Sequence, residues 1–336
     1  MKRRVRVRTS LCRALRAAVL AGVATSCATH GAPPRVAPSP SAPTPREAEL
    51  PSVASASPIR VQIADHGSRR VVTLDIDDYV VGCVMAEIGV YGLPPAVAER
   101  VLEMQALLCR TNAVANRGRH AQDGFDLCSG SHCQIYRVPD NDAMTKLARR
   151  AVASTRGQIV MHEGKPIQAI FHADCAGHTS APETVWGGSE PYLRARADDF
   201  CLRLHTPAWT FTPDRDRLRE ALNRNPNTRV GHDLRDVRVV ARDEAGRASR
   251  IELRGEGSVV VRGAAFRWAL LQAFGARSLK STHFTVRRQG GSFVFQGEGN
   301  GHGVGLCQLG ALARARDGHS AETILRFYYP GIQIAS

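Results

Sequence analysis

Glu87 is the one acid in the stretch Val84-Met85-Ala86-Glu87-Ile88-Gly89-Val90. Apolar neighbours disfavour the charged form of a carboxyl, raise its pKa and make it a usable proton donor near neutral pH. A helix-end cap or ion pair is the other reading of the same residue. A second constellation is Cys128-Ser129-Gly130-Ser131-His132-Cys133. Two thiols with a histidine between them are of the type that binds zinc, and a tetrahedral structural site takes four donors; a Cys128 to Cys133 disulfide competes for the same pair. Cys175 and Cys201 flank the segment holding Trp186 and Tyr192, and in an oxidising compartment they are expected to pair with each other. Cys83, Cys109 and Cys307 sit in apolar or glycine-rich surroundings and read as small buried side chains. Two tempting motifs fail. Gly299-x-Gly301-x-Gly303-x-Gly305 is not G-x-G-x-x-G and lacks the Lys-Ser/Thr ending of a phosphate loop, and His162-Glu163 has Pro166 where a metalloprotease needs its second histidine.

The elements that must position these residues mix short strands with amphipathic helices, an α+β pattern with antiparallel hairpins. Ile59 to Ile63 and Arg70 to Leu74 alternate like strands around His66-Gly67-Ser68. Asp77 or Asp78 caps a helix through Val80, Val81, Val84 and Ile88. Pro94-Pro95 starts a longer helix to about Asn116, whose polar face includes Gln105 and Arg110. Further hairpins are predicted at Gln158 to Met161 with Ile167 to Phe171, at Val237 to Ala241 with Ile251 to Leu253, and at Phe284 to Val286 with Phe293 to Phe295. Helices are predicted at Arg215 to Asn223, Ala264 to Phe274, Gln308 to Ala315 and Ala321 to Tyr328.

The chain has 336 residues, 43% of them hydrophobic, and no apolar run approaches the about 20 residues that span a bilayer. Half of the formal charge of +14 comes from residues 1–27, which hold Lys2, Arg3, Arg4, Arg6, Arg8, Arg13 and Arg16 and no acid. The remaining excess suits scattered surface arginine, and no nucleic-acid partner is expected. Residues 1–27 read as an export signal, basic and then apolar. Ala24-Thr25-Ser26-Cys27 resembles a lipoprotein processing site, so Cys27 is either a lipid anchor or incidental to ordinary cleavage. Residues 28–57 are rich in Pro, Ala and Ser and predict an extended tether, leaving 58–336 as the folded head in a bacterial periplasm or cell envelope. Beyond the leader seven cysteines remain, an odd number.

Several blocks in order resemble the SpoIID family, the stage II sporulation protein D and LytB-type domain proteins that cut or bind peptidoglycan. They are Leu74 to Ile88, Gln105 to Thr111, Asp126 to Tyr136, Thr155-Arg156-Gly157, Phe171 to Thr179, Trp186, Pro191 to Arg194, Gly299 to Ala311 and Tyr328 to Gly331. The resemblance implies one SpoIID-like domain with a substrate cleft and a lytic transglycosylase, in which Glu87 matches the catalytic acid/base. Such an enzyme cleaves the bond between N-acetylmuramic acid and N-acetylglucosamine without water, leaving 1,6-anhydro ends, with peptide-free glycan strands the favoured substrate. It also implies that Arg110, Tyr192 and Arg194 bind substrate from the same cleft, and that the glycine run brings His302 toward it; a structural histidine is the other reading of His302. Some members hold zinc with two Cys and two His in this region, which makes His120 the nearest upstream candidate to complete Cys128, His132 and Cys133. A structural zinc is thus the one cofactor expected, and no organic cofactor. The competing function is a noncatalytic peptidoglycan-binding or amidase-enhancing module.

Overall fold

A computed structural model describes residues 58–65, 68–130, 132–204 and 206–336; the leader with Cys27 and the 28–57 tether lie outside the described residues. Alternation in Ile59-Arg60-Val61-Gln62-Ile63 turns one face of β1 (Ile59–Asp65) inward, with Ile59, Val61 and Ile63 buried. This strand pairs antiparallel with β2 (Ser68–Leu74) and parallel with the two-residue β3 (Leu127–Cys128), so Cys128 is fixed to the sheet through Gln62.

Two helices follow. α1 (Ile76–Glu87) is capped by Asp75, two or three residues before the expected Asp77 or Asp78, and its side chain accepts the Asp77 N–H at 2.8 Å. Its Gly82 is a close approach: a Cβ there would lie 2.2 Å from the Tyr136 ring and 2.6 Å from the Arg137 carbonyl. Only glycine lets the 134–138 loop cross α1 there, and Arg137 N–H then bonds to Gly82 O at 3.2 Å. α2 (Pro95–Ala115) opens on Pro94-Pro95 as expected and runs through the core.

The polar residues of α2 do not face water or a cleft. Gln105 and Arg110 are 0% and 1% exposed, because the interior offers them partners. The Arg110 guanidinium ion-pairs with Asp77 at 2.9 Å and donates to Val152 O at 3.0 Å and Thr155 O at 2.8 Å. Those carbonyls belong to the C-terminal end of α3 (Ala143–Ser154), where a helix leaves carbonyls unpaired. Arg110 therefore joins α1, α2 and α3, which corrects its expected role as a substrate ligand.

The rest of the first core is completed late in the chain. β4 (Ile159–His162) takes Lys165–Pro166 and the final strand Gln333–Ala335 as neighbours. The hairpin expected around Glu163-Gly164 thus forms with a shorter return strand, and Phe171–His172 pairs in parallel with Leu306–Cys307. Between them, residues from Trp209 to Phe295 build a separate core from Leu218, Leu222, Ile251, Leu253, Phe266, Leu270, Phe293 and Phe295. The strands Asp236–Arg242, Ala248–Arg254 and Ser258–Arg262 form one sheet there, and Phe284–Gln289, Ser292–Gly297 and Trp209–Phe211 another. The helices Arg215–Asn223, Gly263–Phe274, Gln308–Arg316 and Ala321–Tyr328 stand where the periodicity predicts them, and the architecture is α+β. Among the described residues no helix is long and apolar enough to cross a membrane.

Removing one partner of a buried ion pair leaves the other charge uncompensated. Arg110→Met is expected to lower unfolding stability by about 3 kcal/mol, read from the urea midpoint. A midpoint that stays put while glycan affinity falls would return Arg110 to the substrate side.

Candidate functional site

Glu87 is the last residue of α1, and the chain leaves the helix in an extended conformation at Ile88. Its carboxyl is partly buried, and burial raises its pKa above the ordinary 4.5, opposed by one hydrogen bond from the Ile135 N–H at 3.1 Å. The backbone is held too: the Gln308 side-chain amide donates to Glu87 O at 3.2 Å and to Gln105 Oε1 at 3.2 Å. Among the described residues no cation is paired with this carboxylate. A carboxyl so placed has a neutral form favoured by dryness and a charged form still supported by one donor, which is the condition for passing a proton both ways.

The loop that supplies the Ile135 N–H begins in a cluster of nitrogen and sulfur donors. His120, Cys128, His132 and Cys133 offer ligand atoms all within 4.8 Å of one another. Cys133 Sγ lies 3.3 Å from His120 Nε2 and 3.6 Å from His132 Nδ1, which is 4.0 Å from Cys128 Sγ. The other nitrogen of His120, Nδ1, meets Asp123 Oδ2 at 3.1 Å, the carboxylate backing that orients a metal-binding imidazole. Two nitrogens and two sulfurs at these separations fit a closed tetrahedral zinc site. Cys128 and Cys133 are free thiols here, without the alternative disulfide.

None of the other residues expected to bind substrate forms a hydrogen bond or ion pair with Glu87, whose partners are Ile135 and Gln308. Tyr192 is 6% exposed, its hydroxyl accepts the Gln168 N–H at 3.0 Å and its ring packs on His162, so no face is left for stacking on a sugar. Arg194 is exposed, with Nε donating to Pro191 O at 3.0 Å. The glycines of the run 299–305 all have positive φ and form the expected tight turn; a Cβ at Gly305 would lie 2.0 Å from Ile170 O. His302 in that turn packs against Trp186 with ring centroids 5.1 Å apart and accepts the Val304 N–H at Nδ1. Burial and the charges of Arg267 and Arg247 push its pKa down to about 3, so it stays neutral. It lines a cavity of about 610 Å³ with Trp186, Trp268, Arg262, Asn225 and Asn227, and Glu87 is not among the lining residues.

Cys175 and Cys201 are not bonded to each other, and all seven described cysteines are free. Cys307, buried as expected, has its sulfur 3.6 Å from that of Cys201 and accepts the Cys175 N–H at 3.3 Å. The residues that sequence reasoning passed over are Gln308, Gln105 and Ile135 around Glu87, and Asp123 behind His120. Only the His120 to Asp123 spacing carries a readable signal; a backbone N–H donor has none.

Comparison with known proteins identifies the family. Residues 64–162 match the SpoIID model, described as stage II sporulation protein, and residues 204–305 match a domain of unknown function (DUF8618), which spans the second core. An uncharacterized protein of Brachyspira hyodysenteriae is 30% identical over 78% of this chain and 67% of its own length. The stage II sporulation protein D of Bacillus amyloliquefaciens is 25% identical over 83% of this chain and 79% of its own. The amidase enhancer of Bacillus subtilis is 24% identical over 73% of this chain, matching 39% of that longer protein. With its first core built from the blocks that carry the likeness, the chain belongs to the SpoIID family.

Proposed function

We propose that this protein is a lytic transglycosylase of peptidoglycan, exported to the cell envelope with Cys27 as its lipid anchor, and that Glu87 is its single acid/base. The observation that carries the reading is the carboxyl itself: half withdrawn from water, raised in pKa, bonded to one N–H and paired with no cation among the described residues. In the first step the neutral Glu87 gives its proton to the oxygen between N-acetylmuramic acid and N-acetylglucosamine, and the bond opens through an oxocarbenium-like state. The Ile135 N–H then steadies the carboxylate. In the second step that carboxylate takes the proton of the muramic acid 6-hydroxyl, whose oxygen closes on the anomeric carbon to give the 1,6-anhydro ring. Water is not consumed, so one carboxyl suffices where a hydrolase uses two.

Trp186 and Trp268 offer faces for sugar rings, and Arg262 and the exposed Arg194 offer positive charge for the lactyl carboxylates of muramic acid. Peptide-free strands suit such direct contact with the sugar. A structural zinc held by His120, Cys128, His132 and Cys133 would supply rigidity rather than chemistry. Its ligand Cys133 is two residues before Ile135, so the clamp acts on the position of the N–H that meets Glu87.

Digestion of peptide-free glycan should release fragments with anhydro ends by mass spectrometry, and Glu87→Gln should slow this by about 10² to 10⁴-fold. Glycan binding without such ends, in both proteins, would instead mark a noncatalytic binding or amidase-enhancing module. Fragments with reducing ends labelled from heavy-oxygen water would mark a hydrolase.

Stability gives an independent handle on the same carboxyl. Because its folded pKa is raised, the native state binds more protons than the unfolded chain between 4.5 and that higher value, so the group costs stability as pH rises through this window. Glu87→Gln keeps an oxygen for Ile135 and removes the charge. The variant should melt higher than wild type at neutral pH, and the gap should close below pH 4.5. An equal gap at all pH values would show that the carboxyl is not perturbed.

For the clamp, metal analysis of the purified chain should find zinc that Cys133→Ser loses, together with a lower melting temperature. Zinc content unaffected by Cys133→Ser would remove this site from the account.

A further inference from the structure

Behind the Gln308 helix lies a second group of sulfur and nitrogen donors, separate from the His120 cluster. His172, Cys175 and Cys307 are all buried, with one ligand atom each mutually within 4.8 Å. Cys201, also buried, belongs with Asp174 and Cys307 to an overlapping group, its sulfur 3.6 Å from that of Cys307. That separation is well beyond a disulfide bond. It is close to the about 3.8 Å edge that two sulfurs span when each sits about 2.3 Å from one tetrahedral metal ion.

Three further observations point to an ion. His172 is 4% exposed; its Nδ1 lies 3.1 Å from Val304 O, and its Nε2 has no partner. A buried imidazole that donates from one nitrogen to a carbonyl and leaves a free lone pair on the other is the usual form of a metal-binding histidine. Cys307 Sγ accepts two backbone N–H bonds, from Cys175 at 3.3 Å and Gly310 at 3.4 Å, which fix the position of the sulfur. Finally, Arg247 is 1% exposed, donates to the carbonyl of Cys175 at 3.0 Å and forms no ion pair among the described residues, with its Nε unpartnered. A buried guanidinium is stabilised by negative charge nearby, which Asp243 and Asp174 supply in part without forming an ion pair. Three thiolates and a neutral imidazole around a divalent ion carry a net charge of one negative unit, which would add to theirs.

We propose that His172, Cys175, Cys201 and Cys307 bind one thiophilic metal ion, with zinc matching the charge and copper(I) the competing ion of the same softness. Binding displaces the thiol protons and requires no oxidant. The site ties three distant segments together: the end of the Phe171–His172 strand, the Asp199–Leu202 turn and the start of the Gln308–Arg316 helix. Cys307 is the N-cap of that helix, whose first residue, Gln308, bonds to Glu87 O. The proposal does not depend on which reaction Glu87 performs.

The test is metal stoichiometry by mass spectrometry on the full chain carrying Cys128→Ser and Cys133→Ser, which removes the other cluster. Loaded separately with zinc and with copper(I), this protein should retain about one equivalent of the preferred ion after dialysis. Adding Cys175→Ser or Cys201→Ser should reduce that at least tenfold. Wild type should hold one equivalent more than the Cys128/Cys133 variant if both clusters load, and this comparison stands even where the added substitutions impair folding. No retained metal, together with a Cys201 to Cys307 or Cys175 to Cys201 disulfide in a nonreducing peptide map, would overturn the proposal. So would no metal and three freely alkylated thiols.

Discussion

A carboxyl that must begin neutral and end charged needs surroundings that are dry without being hostile, and the bond from the Ile135 N–H to Glu87 sets that balance. Burial alone would push the proton affinity up and strand the anion; a cation would hold the anion and remove the acid. One backbone donor lies between these extremes. It is available only because the 134–138 loop crosses α1 at Gly82, where any side chain would collide with Tyr136 and Arg137 O. Tyr136 stacks on Tyr79 one turn earlier, with ring centroids 5.6 Å apart, so the crossing is packed as well as permitted. β3 pairing and the Arg119 bond to His132 O at 2.9 Å hold the loop from its other end.

The first core reaches this precision with charges inside it. Arg110 meets Asp77 and the carbonyls ending α3, while Arg314 meets Asp198 at 3.0 Å and Asp198 also accepts the Tyr328 hydroxyl at 2.5 Å. Pairs of this kind contribute little net stability over an apolar core, because desolvation offsets most of their attraction. Their geometric demand is the more useful property. A guanidinium that must satisfy one carboxylate and two helix-end carbonyls allows α2 one axial position, and that position sets Gln105 against Gln308.

Strands and helices with simple periodicity were legible: β1 and β2, the Pro94-Pro95 helix start and the helices at 215–223 and 321–328 follow from apolar spacing and caps. α3 is readable in principle, from Asp142 as a cap and Met144, Ala148, Ala151 and Val152 on one face, although its three large apolar residues are matched by three charged ones. Arg110 was misread for a deeper reason. Sequence spacing marks it as polar and assigns it to an outer or cleft face, and only the carbonyls at the end of α3, more than forty residues later, make an interior position affordable. Cys307 is buried as its local sequence indicates, while its neighbours, 106 and 132 residues away, leave no local signal. Glu87 was legible because its signal, an acid among apolar neighbours, is local.

The brace on Glu87 links the two cores. Gln308 follows directly on the strand Leu306–Cys307, which lies parallel to Phe171–His172, and a parallel pair cannot be joined by a tight turn. A crossover is obligatory, and in this chain it contains the whole second core from Trp209 to Phe295. The crossover returns through the 299–305 turn, whose Gly303 would place a Cβ 2.5 Å from Arg247 Nε and whose Gly305 presses on Ile170 O. Arg247 comes from the turn just before the strand Ala248–Arg254 and donates to the carbonyls of Cys175 and Gly301. The second core is thus not a passive insertion: the turn between two of its strands supplies the guanidinium that packs on the 299–305 turn, that turn leads to the start of the Gln308 helix, and the helix holds the backbone of the acid.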